Sequence, residues 1–311
     1  MKSLDIIALG GNAILPVTSA GTIFEQFSIT RATMAGIAEL VGRGRHVVVT
    51  HGNGPIVGNI VLRNEAARDK IPPMPLGICV ADSQGGIGYM VQQVLRNALV
   101  SAGTPRDVVT LVTQVRISPD DPSLENPTKP IGPFYSRDEA KRIARDEGWV
   151  VAEDSKRGWR RVVPSPHPLE IIELNVIRRL IEAGCIVVTV GGGGIPVVDN
   201  GGRLDGVEAV IDKDHATAVL ACDLGAERMI VATDVDAVYR DFGTPDAVPI
   251  RQLSAAEAES LGDALPSGSM GSKLKAAAVF ARSGGEAVIT RPESIVAAAD
   301  GETGTRILAT A

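Results

Sequence analysis

The chain has 311 residues, 44% of them hydrophobic and 22% charged, which is enough to bury one large core or two small ones. A net charge of −6 leaves no basic face for a polyphosphate backbone, and 3% aromatics against 34 glycines argue against a base-stacking platform. No apolar run reaches the length of a membrane span, and Cys79, Cys185 and Cys222 stand far apart without a CxxC, so reduced thiols and a cytoplasmic setting are expected, with no nucleic-acid or membrane partner.

Apolar runs followed by glycine alternate with segments of helical period. Residues 4–9 read as a strand, helical spacing appears around Ile37, Leu40 and Val41, and residues 46–50 read as a second strand. Ile87, Met90, Val91, Val94, Leu95, Ala98 and Leu99 share one helical face over 87–99, and 108–113 is a third strand. A second helical pattern spans 171–181, with strands predicted at 186–190, 229–233 and 287–290. Wholly apolar strands alternating with amphipathic helices predict a mainly parallel central sheet covered on both faces, a three-layer α/β/α sandwich. Residues 1–311 are therefore expected to form a single domain. The stretch 116–168 breaks the rhythm with prolines at 119, 122, 127, 130, 133, 164, 166 and 168 and a basic cluster over 156–161. A structureless loop of that size does not suit a compact domain, so a small inserted, lid-like subdomain is expected there.

Four glycine-rich turns adjoin the predicted elements: 9–13 (LGGNA), 50–55 (THGNGP), 190–196 (VGGGGIP) and 268–273 (GSMGSK). Glycine lets backbone N–H groups converge on an anion, and a following helix adds the positive end of its dipole. In open parallel sheets such turns collect at the carboxyl edge. The spacing GxxxxGK[ST] is absent, as are GxGxxG after the first strand and the protein-kinase motifs, which disfavours a P-loop enzyme or a dinucleotide oxidoreductase. Lys213 lies between Asp212 and Asp214 at a predicted helix start, and Lys273 opens another helix. A lysine there opposes the helix dipole, which suits a site for phosphoryl charge, although a solvated surface role is as common. Asp212 and Asp214 equally suit N-capping.

The segments ALGGNAI (8–14), THGNGP (50–55), QGGIGY (84–89), NPTKPIGPFY (126–135), RGWRRVVPSP (157–166), GGGGIPV (191–197), EAVIDKD (208–214), TDVDAVY (233–239) and GSMGSK (268–273) resemble carbamate kinases of the amino-acid kinase family, in the same order and over nearly the whole chain. The resemblance implies the amino-acid kinase fold with a protruding lid, a homodimer, and Mg²⁺-assisted phosphoryl transfer between ATP and carbamate, giving ADP and carbamoyl phosphate. Gly10, Gly11 and Asn12 would cradle the transferring phosphoryl group, and Gly52, Asn53 and Gly54 would face the carbamate. Lys213 and Lys273 would neutralise phosphate charge, with Asp214 orienting them. Thr233, Asp234, Tyr239 and Met270 would lie near the nucleotide, and Mg²⁺ would come with it, without a protein-bound metal site. Related kinases carry a lysine where this chain has Ala8; the resemblance assigns that role to Lys129 of the lid. The chain departs from the family pattern at Ile56, Gly86 and His167, and around Asp82 and Ser83. Ile56 and Gly86 leave room for another small carboxylate acceptor. A nucleotide-binding protein without turnover would not need all of Lys129, Lys213, Asp214 and Lys273.

Overall fold

The computed structural model describes residues 3–14, 21–154, 158–265 and 270–310. Its central sheet has eight strands, ordered Gln252–Ser254, Thr305–Leu308, Glu286–Thr290, Arg228–Ala232, Leu4–Leu9, His46–His51, Ile186–Val188 and Val108–Thr110. Neighbours run parallel, except that Thr305–Leu308 is antiparallel to Glu286–Thr290. The helices are α1 (Ile23–Gly42), α2 (Gly54–Ala66), α3 (Leu76–Ser101), α4 (Arg137–Glu147), α5 (Leu174–Glu182), α6 (Lys213–Leu224), α7 (Ala255–Asp263), α8 (Met270–Arg282) and the short α9 (Ile295–Ala299).

The Leu4–Leu9 strand shows how the layers arise. All six residues are buried, and the period of two sends alternate side chains to opposite faces. Leu4, Ile6 and Ala8 join a core with α5, α6, α7 and α8, whereas Ile7 and Leu9 join a second core with α1, α3 and α9. Each fully buried side chain of this kind contributes roughly 1.5–3 kcal/mol, so the strand needs no polar face. The expected three-layer α/β/α sandwich with a mainly parallel sheet is the fold observed. No helix among the described residues is long and apolar enough to cross a membrane.

Tertiary context moved several element ends. The helix expected over 87–99 runs from Leu76 to Ser101. The strand expected over 108–113 stops at Thr110, because Gln84 of α3 takes the backbone of Thr113. The strand expected over 186–190 stops at Val188, and Val190 turns into the left-handed region with φ 51°.

Beside the main sheet lies a four-stranded one (Leu204–Gly206, Ile195–Asp199, Gln114–Arg116, Glu170–Ile171). Residues 129–163 build a separate antiparallel sheet of Lys129–Tyr135, Trp159–Val163 and Val151–Glu153 with α4 against it. This unit rests on α2 and α3 through Ile131 and Val163, which pack with Val57, Val61, Leu76 and Cys79. Trp149 packs at the edge of that cluster, beneath the guanidinium of Arg161 at 4.4 Å. Lys156 and Arg157 of the basic cluster lie outside the described residues.

Candidate functional site

The carboxyl ends of four neighbouring parallel strands release the chain at Gly10, Gly52, Thr189 and Thr233, the edge where open α/β sheets bind ligands. A cleft of about 670 Å³ lies there. Gly10, Gly11, Gly52, Asn53, Gly54, Lys129, Lys213, Asp214, Thr233, Asp234, Tyr239, Met270 and Lys273 all line it, so residues scattered over the sequence meet around one space. Asn12 sits in the turn Gly11–Ala13, with its side chain outside the described set. Gly268 and Ser269 of the fourth glycine turn also lie outside the described residues.

Lys213 and Asp214 open α6, whose start is fixed by Asp212: its carboxylate accepts the Asp214 N–H at 2.9 Å. Gly225, at φ 60°, ends the helix in the left-handed conformation. The Asp214 carboxylate then serves two lysines at once, Lys213 Nζ at 2.6 Å and Lys273 Nζ, from the first turn of α8, at 3.1 Å. Lys129 reaches in from the 129–163 unit and places Nζ 3.0 Å from Asp212 Oδ2. Three ammonium groups thus gather at Asp212 and Asp214, with Asp234 also on the cleft wall, and they place positive charge where an anionic ligand can meet it.

The electrostatics follow from burial and pairing. Burial pulls the Lys213 ammonium below the ordinary lysine range, against the attraction of Asp214. Lys273 is buried too, but Asp214 outweighs burial and holds it above that range. Burial likewise opposes ionisation of Asp214, and the two lysines overcome it and keep the carboxyl below its usual value. His51, fully buried, falls to about 4 through burial, with Lys213 adding to the depression against a hydrogen bond at the Gly52 carbonyl. A neutral His51 packs the turn and offers no charge to an anion.

Opposite the lysines the wall is backbone. Val190 is held at φ 51°, a conformation a β-branched residue adopts at a cost of order 1–3 kcal/mol. Its N–H donates to Thr113 Oγ1 at 3.1 Å, and Gln84 Nε2 donates to the carbonyls of Gly191 and Thr113 at 3.0 and 3.1 Å. Gly192, at φ 66°, then passes so close to Asn53 that a Cβ would overlap its carboxamide. Asn53 donates to Ser83 Oγ at 2.8 Å, which fixes its side chain at the cleft. Gln84 and Ser83 are supports that motif reading did not assign. Their signal in the sequence was two polar residues on the buried face of an apolar helix.

At the far end the lining turns apolar, through Val235, Val238, Tyr239, Phe242, Leu265 and Met270. The cleft therefore suits an elongated ligand with a flat apolar head and an anionic tail, the tail meeting lysines on one side and glycine amides on the other. Of the departures, Ser83 is the one that reaches the cleft, through its hydrogen bond with Asn53. Ile56 packs toward the core of α1 and α3 and is not part of the cleft lining, and Gly86 faces open space. His167 lies edge-on to His215 of α6, with ring centres 5.6 Å apart.

The profile of the amino acid kinase family matches residues 4–291. The chain is 46% identical over 312 residues to a carbamate kinase of Pyrococcus horikoshii, covering 99% of both proteins. It is 43% identical over 314 residues to a carbamate kinase-like protein of Escherichia coli, again covering 99% of both. The structure of carbamate kinase from Giardia lamblia bound to AMP-PNP superposes with a TM-score of 0.91 at 41% identity, over 98% of each chain.

Proposed function

Because the chain belongs to the amino acid kinase family, among the carbamate kinases, we propose that it transfers a phosphoryl group reversibly between ATP and carbamate. A carbamate oxygen attacks the γ-phosphorus, the bond from that phosphorus to the ADP oxygen breaks, and carbamoyl phosphate leaves. One observation carries this reading: a single buried carboxylate, Asp214, holds two lysines from different helices at the cleft. Phosphoryl transfer asks little covalent chemistry of a protein and much fixed positive charge around the equatorial oxygens. Lys213 and Lys273 supply it, and the amides at Gly11 and Gly192 offer donors, those of Gly10 and Gly52 being taken by the carbonyls of Ala232 and Leu9. The apolar end at Tyr239 and Met270 takes the base of the nucleotide, near Thr233 and Asp234. Asp212 and Asp214 are committed to lysines, so Mg²⁺ would be held by the nucleotide phosphates, where it would supply charge neutralisation.

Residues 116–168 act in this reading as an inserted lid within one domain, carrying Lys129 to the phosphates and excluding water. The active form is a homodimer. Phe24 and Tyr89 are exposed, and Tyr89 meets Phe27 edge-on at 6.3 Å, giving α1 and α3 a joint apolar face. Light scattering is expected to give twice the chain mass, and a Tyr89→Glu variant to approach the monomer. A monomeric wild type rules the dimer out.

The decisive assay is ATP formation from ADP, Mg²⁺ and carbamoyl phosphate. Lys213→Ala should lower kcat by roughly 10²–10³-fold while thermal unfolding stays cooperative, the loss expected for a transition-state donor. A wild-type rate in the variant removes Lys213 from the chemistry. Folded wild type that makes no ATP removes the carbamate kinase reading itself.

A further inference from the structure

The segment Glu208–Asp212 meets the 129–163 unit and the residue that follows it, Pro164, through three contacts. Glu208 Oε2 lies 3.7 Å from Arg161 Nη2, the Val210 N–H donates to the Pro164 carbonyl at 3.0 Å, and Asp212 Oδ2 accepts from Lys129 Nζ at 3.0 Å. The three contacts differ in reach. Glu208 and Val210 hold the root of the unit, whereas Asp212 lies on the cleft wall beside Lys213 and Asp214. Lys129 is itself placed by register, since it pairs with Val163, the residue before Pro164.

Asp212 divides its two oxygens between two tasks. Oδ1 caps α6 through the Asp214 N–H, and Oδ2 holds the ammonium of a residue 83 positions away. Capping alone requires one oxygen and no charge, and asparagine does it as well as aspartate. The second oxygen therefore has its own explanation. Burial works against the charge on Asp212, and Lys129, with His215 beside it, keeps the carboxyl well below the usual range, so the pair is ionic.

We infer that Asp212 is a positioning residue for phosphoryl transfer, docking the lid and aiming Lys129 into the cleft by one carboxylate oxygen while the other starts α6. The inference rests on the reading of Lys129 as a phosphate-neutralising lysine. A flexible four-carbon stem with a free ammonium would sample many rotamers, and a fixed acceptor on the opposite wall restricts it to those that point inward. The acceptor sits on the same helix start as Lys213, so the lid lysine and the core lysine are registered against one short piece of backbone.

The test is a double-variant cycle with Asp212→Asn and Lys129→Ala, read by kcat and by the KM for ADP in the ATP-forming direction, together with hydrogen exchange of the nucleotide-free protein. Asp212→Asn keeps the cap and removes the ion pair. It should lower kcat roughly ten-fold, about 1.4 kcal/mol of transition-state stabilisation, with the KM for ADP within about two-fold. In the Lys129→Ala background it should lower kcat no further, since the partner is gone. Amides over 129–135 should exchange faster in Asp212→Asn, and those of α6 should not. An unchanged or raised kcat in Asp212→Asn overturns the inference. So do losses that multiply in the double variant, or faster exchange of α6 with 129–135 unaltered, which would leave Asp212 a helix cap alone. The exchange experiment needs no turnover, so it decides the docking role even where the wild type fails to make ATP.

Discussion

Asp214 is shared between two lysines, and the geometry leaves it no slack: neither lysine can be lost without altering the charge felt by the other. His51 lies in the same neighbourhood and yields a pH signature. Its pKa falls from 6.5 in the unfolded chain to about 4 in the native one. The unfolded state therefore binds a proton, and the native state does not, throughout that window. The corresponding stability is complete above pH 6.5 and is lost as the pH falls towards 4, by about 3 kcal/mol in all. Urea unfolding midpoints from pH 8 to 4 should show this decline, and His51→Gln should reduce it, leaving the part that His215, also lowered by burial, contributes. Asp212 and Asp214 act on a lower window, because their depressed values place their losses below the ordinary carboxylate range. A variant whose decline between pH 6.5 and 4 matches the wild type would mean that His51 is not the group responsible.

At the scale of elements, the turn after Ile186–Val188 is the least forgiving piece of the site. A Cβ on Gly192 would overlap Asn53, and φ 66° is unfavourable for any side chain. Gly192→Ala should reduce kcat/KM for carbamoyl phosphate at least ten-fold, with Tm lowered by a few degrees, as judged by steady-state kinetics and calorimetry. Activity equal to wild type would show that the loop can move aside without consequence. This turn also marks where reading the sequence stopped. Its glycines were legible as a turn, but the left-handed Val190 was not, since nothing in IVVTV announces that Val190 leaves the strand. The cause lies 77 residues away, where Thr113 takes the Val190 N–H. The ends of strands and helices behaved in the same way. Apolar period found the Leu4–Leu9 strand in full, whereas the Thr305–Leu308 and Gln252–Ser254 strands, short and partly polar, have no period long enough to detect.

Over the whole molecule, the two ends of the Leu4–Leu9 strand have opposite tasks. One end releases Gly10 into the cleft. At the other, Asp5 is fully buried, with Arg45 at 2.6 Å and Arg228 at 3.1 Å, so that three adjacent strands are clasped by one carboxylate. Removing one member of such a group leaves buried charge unpaired, and Asp5→Ala should lose roughly 3–5 kcal/mol in chemical denaturation. Specific activity of the folded fraction should remain at the wild-type level, because no cleft residue touches this clasp. A fall in kcat alongside stability would show that the sheet transmits the change. The same division explains what the sequence disclosed about the site. Motifs named Lys129, Lys213, Asp214 and Lys273, and the structure brings all four to one cleft. They left Asp212 as a cap, and gave no role to Gln84 of the QGGIGY segment or to the departing Ser83, because those roles depend on which distant residue lies opposite.

The glycine wall has a consequence for how this protein can change. Where a pocket is shaped by side chains, a new substrate can be admitted by trimming one of them. Here Gly52, Gly191 and Gly192 have nothing to trim, and any replacement adds atoms against Gly11, His51 or Asn53. In the proposed reading, where this wall faces the acceptor, single substitutions at these glycines cannot widen the site. A mutagenesis library aimed at new acceptors should begin at Asn53 and its anchor Ser83, then at loop length, and leave the glycines untouched.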